Sequence, residues 1–406
     1  MLTEVPKNKG VRKTYKELQN IMEFEGVSRI WSWSKFNCIH NSRYEYYLKY
    51  IKRIEPDRQD SIYVSTGSIA HDILEKYYTG ALKYEDMIDE FNDGWTTAFD
   101  ISGLKFDRSD EERNKKIAEK YYADLFHFFK KHTPLKGIPM VEQFVKAKIG
   151  DNLFHGYIDI CFKDEEGNYH IKDWKTSSIY KGAKAENECG QLVVYAIGLM
   201  QNGIPMDKIK IGWDFLKYVT VQYEQANGSE KTREIERYEI GEKLQSNAKV
   251  WLKKLGYTDD IEYYLDLLST TNDIGVLPQD VQDKYVITDC VVEVPLTQEL
   301  IDKWSNDIIT TIKDIEFREQ EYEKNPDDDT IFWDTDEHMK SQSYYFANLC
   351  GYSANLHLPY KKYLEEFEAN RENVNIFGGV NSGEENIPST SKNSVDANDL
   401  SWLDEI

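Results

Sequence analysis

The stretch LFHGYIDICFKDEEGNYHIKDWKT, residues 153–176, decides how this chain folds. On either side of the polar run Asp164–Asn168, apolar residues alternate with polar ones, the mark of two strands joined by a turn. With the turn centred near Glu166, paired positions sum to about 332, which sets Asp159 opposite Asp173. Directly opposed side chains hold their Cβ atoms about 4.5–5.5 Å apart. Both carboxylates have apolar neighbours: Tyr157, Ile158 and Ile160 on one strand, Ile171 and Trp174 on the other. Two like charges in such a place are costly unless one takes a proton or a cation lies between them. Lys175 is two residues beyond Asp173 and projects from the same face. The hairpin therefore predicts a cluster of two acids and one lysine.

One strand earlier, Val145, Ala147 and Ile149 alternate with Lys146 and Lys148. To bring that apolar face onto Phe154, Ile158 and Ile160, the connection needs two-residue parity, centred in Gly150-Asp151 or Asp151-Asn152. This parity puts Glu142 on the face of Asp159 as a third carboxylate. A slip of one residue would send it to the other side. Alone, an Asp-x-Lys triplet is more often a solvated ion pair. Its placement opposite a second acid, in apolar surroundings, is what argues for a site. Mg²⁺ takes one or two carboxylates with waters and phosphate oxygens, and Mn²⁺ accepts a histidine too.

Outward from the hairpins the pattern becomes mixed. Residues 32–50 read as an aromatic-rich helix capped by Ser32 or Ser34. Residues 66–79 read as another, with Ile69, Ile73 and Leu74 as its stripe and Gly80 closing it. Residues 84–99, 109–132, 185–202, 239–269 and 297–323 are helical, the last capped by Thr297. Residues 208–223 form a further strand, and 325–337 an acidic loop. From 371 the chain is rich in Asn, Ser and Glu, which predicts a disordered acidic tail. The fold class is α/β with α+β character: a central mixed sheet, flanking helices and that tail.

The chain has 406 residues, with 50 Lys plus Arg against 72 Asp plus Glu, a net charge of -22. Such a chain does not coat a polyanion or an anionic membrane through bulk charge, so any contact with nucleic acid has to be local. The cysteines, at 38, 161, 189, 290 and 350, form no close pairs, which suits a reducing compartment. No apolar run is long enough for a membrane span, and no apolar core follows the first basic residues. A cytosolic location is expected, bacterial or that of a phage-infected host. There is no G-x-x-x-x-G-K-[ST] run and no Gly-x-Ser-x-Gly, hence neither a motor nor a serine-hydrolase elbow.

Gly156-Tyr157-Ile158-Asp159, Lys172-Asp173-Trp174-Lys175-Thr176 and Gln191-Leu192-Val193-Val194-Tyr195 together resemble the core of the PD-(D/E)XK nuclease superfamily, and more narrowly its RecB-like exonuclease branch. Upstream, Gly67-Ser68-Ile69-Ala70-His71 is similar to the branch's Gly-x-x-x-His helix. Ser34-Lys35-Phe36-Asn37-Cys38, followed by Tyr44, Tyr46 and Tyr47, is similar to its opening helix. The motifs fall in order over about residues 32–200.

The resemblance implies a restriction-endonuclease-like fold. Residues 1–370 would form one nuclease domain, with core motifs in 32–220 and helical additions at about 80–135 and 239–323. The tail would be 371–406. His71, Asp159 and Asp173 would be metal ligands, joined by the Trp174 carbonyl. Lys175 would orient water and stabilise charge on the phosphate, and Gln191 and Tyr195, one helical turn apart, would hold substrate and catalytic groups. Relatives with an iron–sulfur cluster use four cysteines; Cys38 and Cys350 alone resemble that set. No cluster is expected, and the C-terminal part should be held by packing alone.

The activity implied is Mg²⁺- or Mn²⁺-dependent hydrolysis of DNA, as an exonuclease in replication, recombination or repair. The alternative is an inactive nuclease-fold scaffold that binds nucleic acid or replication proteins. Lys146, Lys148, Lys172, Lys181 and Lys184 are candidate contacts to the strand. Unwinding would need a separate helicase. Leu400, Trp402, Leu403 and Ile406, at the end of the acidic tail, suit docking to a replication or recombination protein.

Overall fold

The computed structural model describes residues 7–59 and 61–377, the last ten as backbone only. Its contacts divide the chain into two compact units. One runs to Phe36 and resumes beyond Gln59 as far as Lys313; the other takes Asn37–Gln59 and the chain from Asp314 onward.

Among the described residues the first unit holds a sheet of seven strands. They are β1 (Ile30–Ser32), β2 (Met140–Ile149), β3 (Asn152–Lys163), β4 (Tyr169–Lys175), β5 (Ile209–Glu224), β6 (Glu230–Glu236) and β7 (Tyr285–Val294). β3 runs parallel to β1 and antiparallel to β2 and β4. β4 runs parallel to β5, which is antiparallel to β6 and β7. Helices flank this mixed sheet, the α/β architecture expected from the sequence.

The registers follow from the hydrophobic alternation. Ile160 pairs with Lys172 and Lys163 with Tyr169, the pairing that the turn centre implies. Ile149 pairs with Asn152, so the β2–β3 turn is Gly150-Asp151, with Gly150 in the left-handed region. The helix Gly190–Gln201 buries most of its length. It lies so close to β2 that a Cβ on Gly198 would come 2.6 Å from the Lys146 carbonyl oxygen.

Several elements differ from expectation. The helix predicted over 66–79 begins at Ile62 and spans Ile62–Tyr78. The stretch 239–269 is two helices, Ile240–Lys254 and Ile261–Thr271, parted at Gly256, whose φ is +93°. The sequence did not mark β1, β6 or β7. β1 is three residues long, and β6 is a charged strand with one buried side chain, Ile235. β7 finds its partner in β5 across β6 and three intervening helices, so no hairpin signal announces it. Two caps stand as read: the Lys35 N–H donates to Ser32 Oγ at 3.2 Å and the Leu300 N–H to Thr297 Oγ1 at 3.2 Å.

The second unit corrects the expectation of packing alone. Ser42, Asp334 and His357 are buried together. The Ser42 hydroxyl donates to Asp334, His357 Nε2 donates to Ser42 Oγ at 2.9 Å, and the Tyr360 N–H donates to His357 Nδ1 at 3.3 Å. The Arg43 N–H also donates to Asp334, and Tyr44 to Asp329 at 2.8 Å. The acidic loop of 325–337 is therefore an acceptor for buried donors, and it contains a short turn at Thr330–Phe332. This serine gives its proton to the aspartate and not to the imidazole, so the triplet is not a hydrolase triad. Cys38 and Cys350 lie buried in this unit, their thiols pushed up by burial. The helix Leu358–Phe377 enters the stretch assigned to the tail. Residues 378–406, with Leu400, Trp402, Leu403 and Ile406, lie outside the described residues.

Candidate active site

Asp159 sits near the middle of β3, one position past the end of its ladder with β4. The last backbone pair is Ile160–Lys172. Beyond it the Asp159 carboxylate, not a β3 carbonyl, accepts the Trp174 N–H at 3.1 Å. The Trp174 carbonyl in turn accepts from His71 Nε2 at 2.8 Å, His71 coming from the helix Ile62–Tyr78. Both main-chain polar groups of Trp174 are thus held by two of the residues singled out in the sequence.

This fixes a tautomer. With its hydrogen on Nε2, a neutral His71 turns the Nδ1 lone pair toward Asp159 Oδ2, 3.5 Å away. Two acceptors then face each other, and a proton or a cation has to lie between them. Asp159 is 8% exposed and Asp173 is 5% exposed. Burial pushes the Asp159 carboxyl up to about 7; His71 and Lys175 oppose this and Asp173 adds to it.

Lys175 Nζ lies 2.5 Å from Asp173 Oδ2, on the face the alternation predicted. Burial works to lower the lysine's pKa, but Asp173, Tyr180 and Asp159 outweigh it and hold the ammonium above its ordinary value. Gln191 Nε2 donates to the Tyr195 hydroxyl at 2.8 Å, as the one-turn spacing suggested. The same contact explains Gly156: a Cβ there would come 2.4 Å from Tyr195 Cε1. Burial raises the Tyr195 phenol, which also feels the charges of Asp159 and Asp173.

Glu142 stands opposite Asp159 in the β2–β3 register but drops out of the ladder, its φ at +51°. Its carboxylate pairs with Arg12 at 2.6 Å and is raised chiefly by burial. It lines a cavity of about 750 Å³ with His71, Trp174, Lys175, Glu75 and Arg12. The structure therefore gathers Glu142, His71, Trp174 and Lys175 around one space. Sequence reasoning missed Arg12, Lys9 (which pairs with Glu75) and Tyr180. Arg12 and Lys9 arrive from the N-terminal segment, about 130 residues away from β2, with no local pattern to mark them. Lys172 is a correction: it is buried on the opposite face, bound to Asp214 at 3.0 Å, and cannot reach a strand in the cavity. Lys146 is paired with Glu25 and Lys181 with Glu234.

Among the described residues no three His, Cys, Asp or Glu side chains form a ready-made metal cage. Mg²⁺ does not require one, since it keeps several waters and binds through one or two carboxylates. Asp159, Asp173, His71 and the Trp174 carbonyl offer oxygen and imidazole donors of the kind Mg²⁺ or Mn²⁺ takes, and either a proton or such a cation would balance the Nδ1–Oδ2 contact.

The model of the PD-(D/E)XK nuclease superfamily matches residues 30–329, well over half of the chain. The chain belongs to that superfamily. Comparison with curated proteins gives no match. As a PD-(D/E)XK protein it falls among metal-dependent nucleases, hydrolases that act on nucleic acid. The matched span reaches beyond the motifs quoted from the sequence and includes β5, β6 and β7. None of its described helices is long and apolar enough to cross a membrane.

Proposed function

We propose that this protein is a DNA exonuclease of the RecB-like branch, using Mg²⁺ or Mn²⁺ and acting in replication, recombination or repair, in a bacterial or phage-infected cytosol. The observation that carries the metal-dependent hydrolysis is the contact of His71 and Asp159 around Trp174, beside the Asp173–Lys175 pair. Exonuclease action, DNA and the cellular process rest on the resemblance of the motifs to RecB-like relatives.

Asp159, Asp173, His71 and the Trp174 carbonyl would hold the cation. Bound there, it would lower the pKa of a water and neutralise charge that develops on the phosphate. Lys175, kept charged by Asp173, orients the attacking water and faces the same developing charge. Asp159 holds the Trp174 N–H and so fixes the turn of main chain that presents the carbonyl. Tyr195, held by Gln191 and seated over Gly156, stands within the field of the two acids. The acidic tail would dock a replication or recombination protein, and unwinding would come from a separate helicase.

The test is incubation with end-labelled single- and double-stranded DNA, and with RNA, in Mg²⁺, in Mn²⁺ and in chelator. The expected result is metal-dependent release of mononucleotides or short products from DNA ends, lost in both Asp173→Ala and Lys175→Ala. Cleavage that survives in both variants contradicts the reading. A protein that binds DNA and never cuts it is instead the inactive scaffold.

A further inference from the structure

The N-terminal segment, residues 7–14, is laced onto the rim of the cavity. Val141 N–H donates to the Asn8 carbonyl and Gly10 N–H to the Val141 carbonyl, both at 2.9 Å. Asn8 Nδ2 donates to the carbonyls of Tyr78 and Pro139 at 2.9 and 3.0 Å. Lys13 N–H donates to the Tyr157 hydroxyl at 2.6 Å. The segment passes so close to β2 that a Cβ on Gly10 would lie 1.8 Å from the Glu142 carbonyl oxygen. Thr14 then caps the helix Tyr15–Glu25 with a reciprocal box. The backbone on both sides of Arg12 is therefore fixed.

Its side chain is not enclosed. Arg12 is 72% exposed, reaches Glu142 at 2.6 Å and lies 4.3 Å over the Tyr157 ring. Among the described residues lining the cavity, the Lys and Arg side chains are Arg12 and Lys175, and Lys175 is held by Asp173. A guanidinium carries five donors in a planar fork that matches phosphate oxygens, and one carboxylate contact leaves donors to spare. In a chain of net charge -22, a polyanion needs local cations at the point of contact.

We propose that Arg12 is the phosphate-anchoring residue of this site: the laced segment and Glu142 hold it ready, and it engages a backbone phosphate of the nucleic acid entering the cavity. This rests on the nuclease reading for its ligand but not on cleavage for its test. Glu142 and Tyr157 pre-orient the fork, so little side-chain entropy remains to be lost on binding.

The experiment measures binding of a labelled single-stranded oligonucleotide over a salt series in Lys175→Ala protein, which binds without cutting, alone and combined with Arg12→Ala, Arg12→Lys or Glu142→Gln. Arg12→Ala should weaken binding about 10-fold and remove roughly one from the slope of log K against log salt. Arg12→Lys should restore the slope but not all the affinity. Glu142→Gln should keep the slope and hold affinity within a few fold of the parent, since losing a carboxylate that competes with the phosphate offsets the loss of pre-orientation. With Lys175 present, Arg12→Ala should raise KM and leave kcat within a few fold. An unchanged slope and affinity in Arg12→Ala overturns the proposal, as does a Glu142→Gln variant that reproduces the Arg12→Ala loss, which would reduce Arg12 to one half of an ion pair. Failure of the Lys175→Ala protein to bind the oligonucleotide at any salt also overturns it. Wild-type protein that binds with this Arg12-dependent slope yet cuts nothing would sink the nuclease reading and leave the anchor standing.

Discussion

Two histidines of this protein, His71 and His357, each stand beside an aspartate, and their surroundings differ in one respect that matters. In the second unit His357 is fully buried; it donates to Ser42, which donates to Asp334, and its other nitrogen accepts a backbone N–H. Burial lowers its pKa to about 4, so it stays neutral and every hydrogen has a place. In the first unit His71 donates to the Trp174 carbonyl and then meets Asp159 acceptor to acceptor, at the wall of a cavity. A closed network stabilises a fold. An open one, with charge left over and room beside it, is where a ligand or an ion contributes something the protein lacks.

The largest effect should separate the two regions by activity. Asp173→Ala or Lys175→Ala should cut DNA hydrolysis by about 10³-fold with the fold intact. His357→Ala should leave kcat per folded molecule unchanged, and single-turnover assays on folded protein decide this. Stability should sort the other way: His357→Ala takes the donor from Ser42 Oγ and the acceptor from the Tyr360 N–H and opens a void, costing about 2–4 kcal/mol in urea unfolding. An active-site loss in His357→Ala would erase the contrast.

Next comes Gly156→Ala. The added Cβ has to displace a ring of Tyr195, so stability should fall by about 1–3 kcal/mol. Activity should fall with it if Tyr195 and Gln191 are part of the machinery; a stability loss with full activity would confine the pair to packing.

The smallest effect carries a sign. Asp159 titrates at about 7 in the fold and at about 4 in the unfolded chain. A raised carboxyl binds its proton more tightly when folded, so in chelator stability should decline as pH rises from about 4 to about 7 and then level off. Asp159→Asn should flatten that decline and be more stable than wild type at pH 8. Adding Mg²⁺ should stabilise wild type and not the variant. Unfolding curves at pH 5 and pH 8, with and without the ion, read all three.

Much of this contrast was legible beforehand on one side only. The β3–β4 register, the face of Lys175 and the Gln191–Tyr195 contact followed from periodicity and a turn centre, because neighbouring strands and one helical turn are local relations. Glu142 was placed on the right side of β2, but not its left-handed backbone or its pairing with Arg12. Those depend on a segment more than a hundred residues upstream in the sequence. Alternation sets Lys172 on the face away from Asp173, and the partner that holds it there, Asp214, lies in β5, out of reach of a local pattern. The closed triplet of Ser42, Asp334 and His357 was invisible, since Ser42 lies about 300 residues from the other two and no period connects them.

We propose that a divalent cation sits between Asp159, Asp173 and His71. Crystals of the protein grown with Mn²⁺ and measured at the manganese edge test it most directly. One strong anomalous peak is expected within ligand distance of the Asp159 and Asp173 carboxylates, His71 and the Trp174 carbonyl oxygen. A peak elsewhere, or none at that site in crystals whose protein still cleaves DNA with Mn²⁺, would contradict it.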